Sequence, residues 1–268
     1  MARSARVERF GRIFFIGGAI SFRALFNWIR PAIYIPTMLG SPLFQILFFA
    51  HLGRFSGVGD DTFFVVGNGV QVCAMSSIYG MTMAIANERY FGTLSTLLAT
   101  PANRLALFLG RGIPVIANGL LVSAFGFLVG IVLLDFSVSW SSVPALAATV
   151  VVTVFSCTAL GMLIGSIGLR ARDVFIASNL AYFLMLLFTG ANIPIGELPG
   201  WMEAIGRSIP LTHGIEAARG LARGETFGSV SDQVLIEGLI GVAYAIAAYL
   251  LFKYLEVQSR RSAALDRV

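Results

Sequence analysis

Charge is scarce in this chain. Only 12% of its 268 residues are Asp, Glu, Lys or Arg, against about 25% in an ordinary soluble domain. Lysine is almost missing: Lys253 stands alone and every other cation is arginine. There are two cysteines, Cys73 and Cys157, both inside apolar runs, and two histidines, His51 and His213. No Cys-x-x-Cys or His-x-x-x-His spacing occurs, so the cysteines read as small buried hydrophobes rather than a disulfide or metal pair. No Gly-x-x-x-x-Gly-Lys-Ser/Thr occurs, so the chain has no P-loop to cradle ATP. The first five apolar runs carry essentially no ionisable residue, and Glu237, near the start of the sixth, is the one candidate. Ion-coupled carriers need embedded acids or histidines, and a membrane hydrolase needs a nucleophile with its base or a metal set. Both classes are disfavoured.

What the chain has is apolar length. It is 57% hydrophobic, with a mean hydropathy of +0.82. A bilayer core about 30 Å thick needs roughly 20 apolar residues per helix. The long solid runs exclude the weak alternation of an outer-membrane barrel. The expected fold is an all-α polytopic membrane protein, a single transmembrane domain over 1–268. The net charge is +5, but the arginines gather at the ends of apolar runs, which orients a membrane protein and does not call for nucleic acid. The apolar stretch Ile13–Ile20 is short and no small-residue cleavage site follows it, so a cleavable signal peptide is not expected.

Residues 4–30 read as an amphipathic interfacial helix. Val7, Phe10, Phe14, Gly18, Phe22, Leu25 and Ile29 share one face, and Arg9, Arg12, Arg23 and Arg30 the other. Six spans follow, at 31–52, 62–86, 105–134, 143–169, 174–190 and 234–254. Gly112 and Pro114 are expected to break the third early. Residues 87–101 form a short surface helix that opens on Asn87 as a cap and stops at Thr100-Pro101. Segment 191–232 is rich in Pro and charge, and suggests two short helices, near 199–208 and 211–221, dipping back toward the membrane. Glu216 and Arg219, three apart, are expected to pair with each other. On this layout 15 of the 19 cations fall on one side, which places both termini and 87–101 in the cytoplasm. Gly126-x-x-x-Gly130 and Gly161-x-x-x-Gly165 allow close helix approach, within one chain or between two copies.

The segment Asn87-Glu88-Arg89-Tyr90-Phe91-Gly92-Thr93-Leu94-Ser95-Thr96-Leu97-Leu98-Ala99-Thr100-Pro101 resembles the Glu-Arg-x-x-Gly-Thr-x-x-x-Leu-Leu-x-Thr-Pro motif of ABC type-2 transporter permeases. Asn192-Ile193-Pro194, Leu198-Pro199-Gly200-Trp201, Ile209-Pro210-Leu211-Thr212 and Ala217-Ala218-Arg219-Gly220 resemble the stretch after the fifth span of its drug-export members. Tyr90 and Ser95 depart from the pattern, standing where members often carry Glu.

The resemblance implies a cytoplasmic coupling helix at 87–101 and extracellular re-entrant helices at 191–232. Leu94, Leu97 and Leu98 would pin the coupling helix to the membrane domain. Glu88, Arg89 and Thr93 would face an ABC ATPase subunit or the capping network, with Arg170, Arg172 and Asp173 as a second contact. ATP and Mg would be bound by that separate subunit and not by this chain. A second permease copy or a paralogue would complete the pathway in the cell membrane. Asn68, Gln71, Ser76 and Tyr79 on the second span and Asn179 and Phe183 on the fifth are candidate pathway residues; interhelical hydrogen bonding is the competing role. The expected function is export of hydrophobic or amphipathic compounds. The alternatives are lipid-linked polysaccharide export and a non-transporting membrane scaffold.

Overall fold

The computed structural model describes residues 34–57, 60–90, 104–168 and 174–261, with residue 11 and residues 15–18 before them. A π-helical turn, Ile35–Gly40, leads into α1, Ser41–Ser56. Then come α2 (Asp61–Tyr90), α3 (Arg104–Leu133), α4 (Val143–Ile167) and α5 (Val174–Phe188). A 3-10 turn, Ile195–Glu197, precedes two short helices, α6 (Gly200–Ser208) and α7 (Thr212–Ala222), and the chain closes on α8 (Phe227–Arg261). No strand occurs among the described residues.

Five helices are long and apolar enough to cross a membrane: Ile35–Phe55, Asp61–Asn87, Leu109–Leu133, Val143–Ile167 and Phe227–Leu255. The expected fifth span, 174–190, corresponds to α5, which is apolar but has 15 residues. At 1.5 Å per residue that is about 22 Å of helix.

Three expected boundaries differ from the structure. The second helix does not stop at Ala86 with Asn87 as a cap; it continues through Tyr90. Residues 84–90 hold no Gly or Pro to end it. The third helix is not broken at Gly112 and Pro114 but runs on from Arg104 to Leu133. Pro114 lacks the N–H that the Gly110 carbonyl would accept, a loss that neighbouring chain tolerates in lipid. Gly18 packs there, where an added Cβ would lie 3.0 Å from Gly110 O. The last helix is longer than 234–254 at both ends. The rest of the expected interfacial helix, apart from residues 11 and 15–18, lies outside the described residues.

α2 and α4 form the centre. Within an apolar 18-residue stretch of each, 67% of the residues are buried, against 17% in the spans Ile35–Phe55 and Phe227–Leu255. Glycine makes this possible. A Cβ at Gly161 would lie 2.9 Å from the Ile78 Cα and O, and one at Gly165 3.2 Å from the Thr82 Cα. Gly126 faces Gly69 in the same manner, and Gly130 leaves room for Val65. Both Gly-x-x-x-Gly pairs are therefore spent inside the chain, seating α3 and α4 on α2. The backbone approach also lets Thr82 Oγ1 donate to Gly161 O at 3.1 Å and Ser123 Oγ to Gly69 O at 2.7 Å. α8 packs along α4, with Gly241 against Ser156.

Gly161→Ala should lower the stability of the purified chain by about 1–3 kcal/mol, because the backbone of Ile78 cannot step aside. Gly112→Ala meets Thr158 Cγ2 at an ordinary 3.8 Å, and should be neutral or gain up to about 1 kcal/mol from helix propensity. Thermal unfolding in detergent separates the two.

Candidate functional site: the charge-clamped segment between α5 and α8 and the polar seam of α2

The segment between α5 and α8 carries irregular backbone that packs on the spans, and two buried charges hold it. α7 begins after Pro210, which keeps Ile209 extended. Leu211 then turns through φ 92, a conformation that a branched side chain rarely adopts, while fully buried. Glu237 on α8 makes this turn tolerable. Its Oε1 accepts the Leu211 N–H at 2.8 Å, and its Oε2 accepts the Gly214 N–H at 3.2 Å. The Ser156 hydroxyl of α4 also donates to Oε1. The carboxylate thus caps α7 from another helix, at the positive end of its dipole.

Arg219 holds the other end. Its Nη1 donates to Gly190 O at 2.8 Å, and its Nη2 to Ala191 O at 2.8 Å and Phe63 O at 3.1 Å. The guanidinium lies 3.5 Å from the centroid of the Phe63 ring. Gly67 leaves space for it: a Cβ there would collide with Ala191 O and Arg219 Nη2. Burial pushes Arg219 down to about 9, so it stays charged at neutral pH. The expected Arg219–Glu216 pair does not form. Glu216 lies 3.7 Å from Arg207 Nη1 and 3.8 Å from His213 Nδ1 instead. The Gly190 and Ala191 carbonyls, which lie outside any helix, together with the Phe63 carbonyl outbid one partly exposed carboxylate.

The candidate pathway residues fall into two groups. Asn68, Gln71 and Ser76 are buried. Asn68 Oδ1 accepts from Gln45 Nε2 at 3.0 Å, and its Nδ2 donates to Phe64 O at 3.1 Å and Asn192 Oδ1 at 2.8 Å. Tyr182 donates to Gln45 Oε1 at 2.6 Å. Gln71 Oε1 faces the Thr189 hydroxyl at 3.2 Å. Ser76 accepts from Asn118, which accepts from Tyr34. These residues join α1, α2, α3, α5 and the turn after α5. The second group opens outward. Tyr79 donates to Asn179, which is exposed, and Phe183, one turn further along α5, is 61% exposed. They lie on an apolar α5 face with Ile176 and Leu180.

The sequence reading missed Gln45, Asn118, Tyr182, Thr189 and Asn192 as partners. The available signal was their polarity inside or beside apolar runs. Of the coupling residues, Asn87 lies half-buried on α2, and Glu88 and Arg89 are on its last turn. Gly92, Thr93, Leu94, Leu97, Leu98, Thr100 and Pro101 lie outside the described residues, as do Arg170, Arg172 and Asp173.

A bundle of apolar spans, joined by interhelical amides and carrying a charge-clamped segment of short helices, defines a multi-pass membrane protein. The profile of the ABC-2 type transporter family matches residues 18–222. The chain belongs to that family, whose members are membrane permeases and not the ATPase. It is also similar to the probable multidrug ABC transporter permease YbhR of Escherichia coli K12, at 24% identity over 132 residues, and equally to that of strain O157:H7. The match spans 49% of this chain and 36% of the relative's length.

Arg219→Ala leaves the Gly190 and Ala191 carbonyls unpaired and should cost about 2–4 kcal/mol. Arg219→Lys should recover only part, because one ammonium cannot fork to carbonyls on two segments and stack on Phe63. Arg223→Ala, which breaks an exposed pair with Glu225, should change stability by less than about 0.5 kcal/mol. Thermal unfolding of the three variants is the measurement.

Proposed function

We propose that this chain is the permease subunit of an ABC exporter that moves hydrophobic or amphipathic compounds out of the cell, driven by a separate ATPase subunit. One observation carries the reading. α2 is unbroken over 30 residues, about 45 Å of helix. Its last turn bears Glu88-Arg89, and its first turn offers the Phe63 carbonyl that Arg219 grips. Movement of the inner end of such a rod is delivered to the outer segment. Nucleotide-driven closure of two ATPase subunits would push the 87–101 coupling helix and re-angle α2.

The rest of the layout supports this. α5 completes six spans, so both termini lie in the cytoplasm, in agreement with the arginine asymmetry. Gly214 of α7 packs against Thr153, ten residues into α4, so α7 sits about 15 Å below the outer end of that helix. That depth suits a re-entrant helix. The open α5 face with Tyr79, Asn179 and Phe183 suits a pathway shared with a second permease copy or a paralogue. Its apolar and aromatic character favours drug-like, natural-product or lipid cargo over a lipid-linked polysaccharide.

Co-purification with an ABC ATPase and reconstitution in vesicles tests the reading. Glu88→Ala and Gly92→Leu should retain assembly and ATP hydrolysis yet lose at least about tenfold in cargo export, a coupling loss near 1.4 kcal/mol. Export at the wild-type rate in both variants would reject the coupling role. External labelling of a cysteine placed at Arg89 in intact cells would invert the topology and remove the proposal altogether.

A further inference from the structure

Cys73 and Cys157 are the two cysteines of the chain, one on α2 and one on α4. Each lies inside a span and is fully buried. Their spacing in sequence gives no reason to pair them, and burial alone would make them small apolar filler. The fold brings them together. Gly161 of α4 meets Ile78 of α2, and Gly165, one turn on, meets Thr82. The two helices therefore run side by side in the same direction. At Gly161 they touch at the backbone: a Cβ there would lie 2.9 Å from the Ile78 Cα and 3.0 Å from Ser77 O. One turn back from that contact stand Cys157 on α4 and Cys73 on α2. The register aims the two side chains at each other, and their thiols are hydrogen-bonded. Both are free cysteines in this structure.

Backbone contact one turn away favours the short Cα separation, about 4.4–6.8 Å, that a disulfide needs. Both residues belong to the apolar core that α2 and α4 share. A charged oxidant dissolved in water pays a large desolvation cost to enter such a core, and a small neutral one does not. A disulfide is itself neutral, so the same surroundings accept the product.

We propose that Cys73 and Cys157 form a redox latch, which closes to a disulfide between α2 and α4 when a neutral, lipid-soluble two-electron oxidant enters the bundle. With molecular iodine the steps balance as follows. One sulfur attacks iodine and releases iodide, and the second sulfur attacks the first and releases the other iodide. Two S–H bonds break, one S–S bond forms, two electrons pass to the iodine, and two protons leave with the iodides. The bridge ties residues far apart in sequence and restricts the unfolded chain, so it stabilises the fold. Joined to the export reading, on which this step rests, the closed latch fixes α2 against α4 and stops it from re-angling.

The test uses the full chain in lipid nanodiscs, with iodine as the lipid-soluble probe and hexacyanoferrate(III) as the charged one. Thiols are counted by alkylation after denaturation, and the bridge is located by mass spectrometry of unreduced peptides. Iodine should consume both thiols within one chain and raise the unfolding temperature by about 5 °C or more, reversibly with dithiothreitol. Hexacyanoferrate(III) should leave both thiols free. Cys73→Ser and Cys157→Ser should show no upward shift, and the double variant reports iodination at any other side chain. Two alkylatable thiols after iodine, or a bridge between chains in place of the internal one, would overturn the latch. Equal oxidation by hexacyanoferrate(III) would overturn entry through the apolar core. In vesicles with the ATPase, the oxidised wild type should lose at least about tenfold in export and regain it on reduction, while the double variant exports equally before and after iodine. A bridge that forms and leaves export unchanged would defeat the control of α2. A wild type that exports nothing even when reduced would sink the export reading and leave the disulfide standing.

Discussion

Two buried charges that do not touch each other hold this molecule's irregular part in place. Glu237 and Arg219 both serve α7, one at each end, and each is answered by backbone rather than by a counter-ion. The physics is that of a medium without water. A turn buried among apolar helices exposes N–H and C=O groups that find no water to satisfy them. The turn at Leu211–Gly214 presents donors and needs an anion; the turn at Gly190–Ala191 presents acceptors and needs a cation. A salt bridge between the two charges would neutralise both and leave both turns unsatisfied. Sending each charge to the turn of opposite polarity satisfies all four groups at once.

The clamp also decides which helix is rigidly joined to the segment between α5 and α8. Arg219 reaches Phe63 on the first turn of α2 and no other span's backbone. The same helix is seated on α3 and α4 through glycine contacts at backbone distance, a form of packing that has two well-defined partners and little slack. α5 is different. It meets the bundle along one face, with Val174, Ser178, Tyr182, Met185 and Phe188 buried, and leaves most of the opposite apolar face uncovered. The stiff axis and the open face therefore belong to different helices.

Much of the architecture was legible in the residues, for reasons that also explain the errors. Long apolar runs announce spans, because burial in lipid is read from composition. Pro199 and Pro210 announce the starts of short helices, because a residue before proline leaves the helical region. Boundaries set by single residues were misjudged. Asn87 looks like a cap in isolation, yet nothing between Ala84 and Tyr90 interrupts the helical ladder. Pro114 looks like a break, yet its carbonyl partner lies beside Gly18. Partnerships were hardest. Glu216 is the neighbour of Arg219 in sequence, whereas Phe63 lies 156 residues away. Small-x-x-x-small spacing shows that something comes close and does not say what. Gln45, Asn68 and Asn192 sit on three segments, and no periodicity links them.

The geometry of Glu237 bears on how such a chain can be driven. It is the single acid that the sequence offers for ion coupling inside the apolar runs. An acid that relays protons or binds a cation needs a free oxygen and a route to water. Here Oε1 accepts from Leu211 and Ser156, Oε2 accepts from Gly214, and the side chain is fully buried. Protonation would weaken the cap of α7 and the strained turn at Leu211 with it, so cycling the proton would cycle the fold. The residue that first suggests an internal energy source is committed to structure. The mechanical input proposed above would need an element stiff enough to carry it, and α2 reaches from the Glu88-Arg89 turn to the clamp without a break.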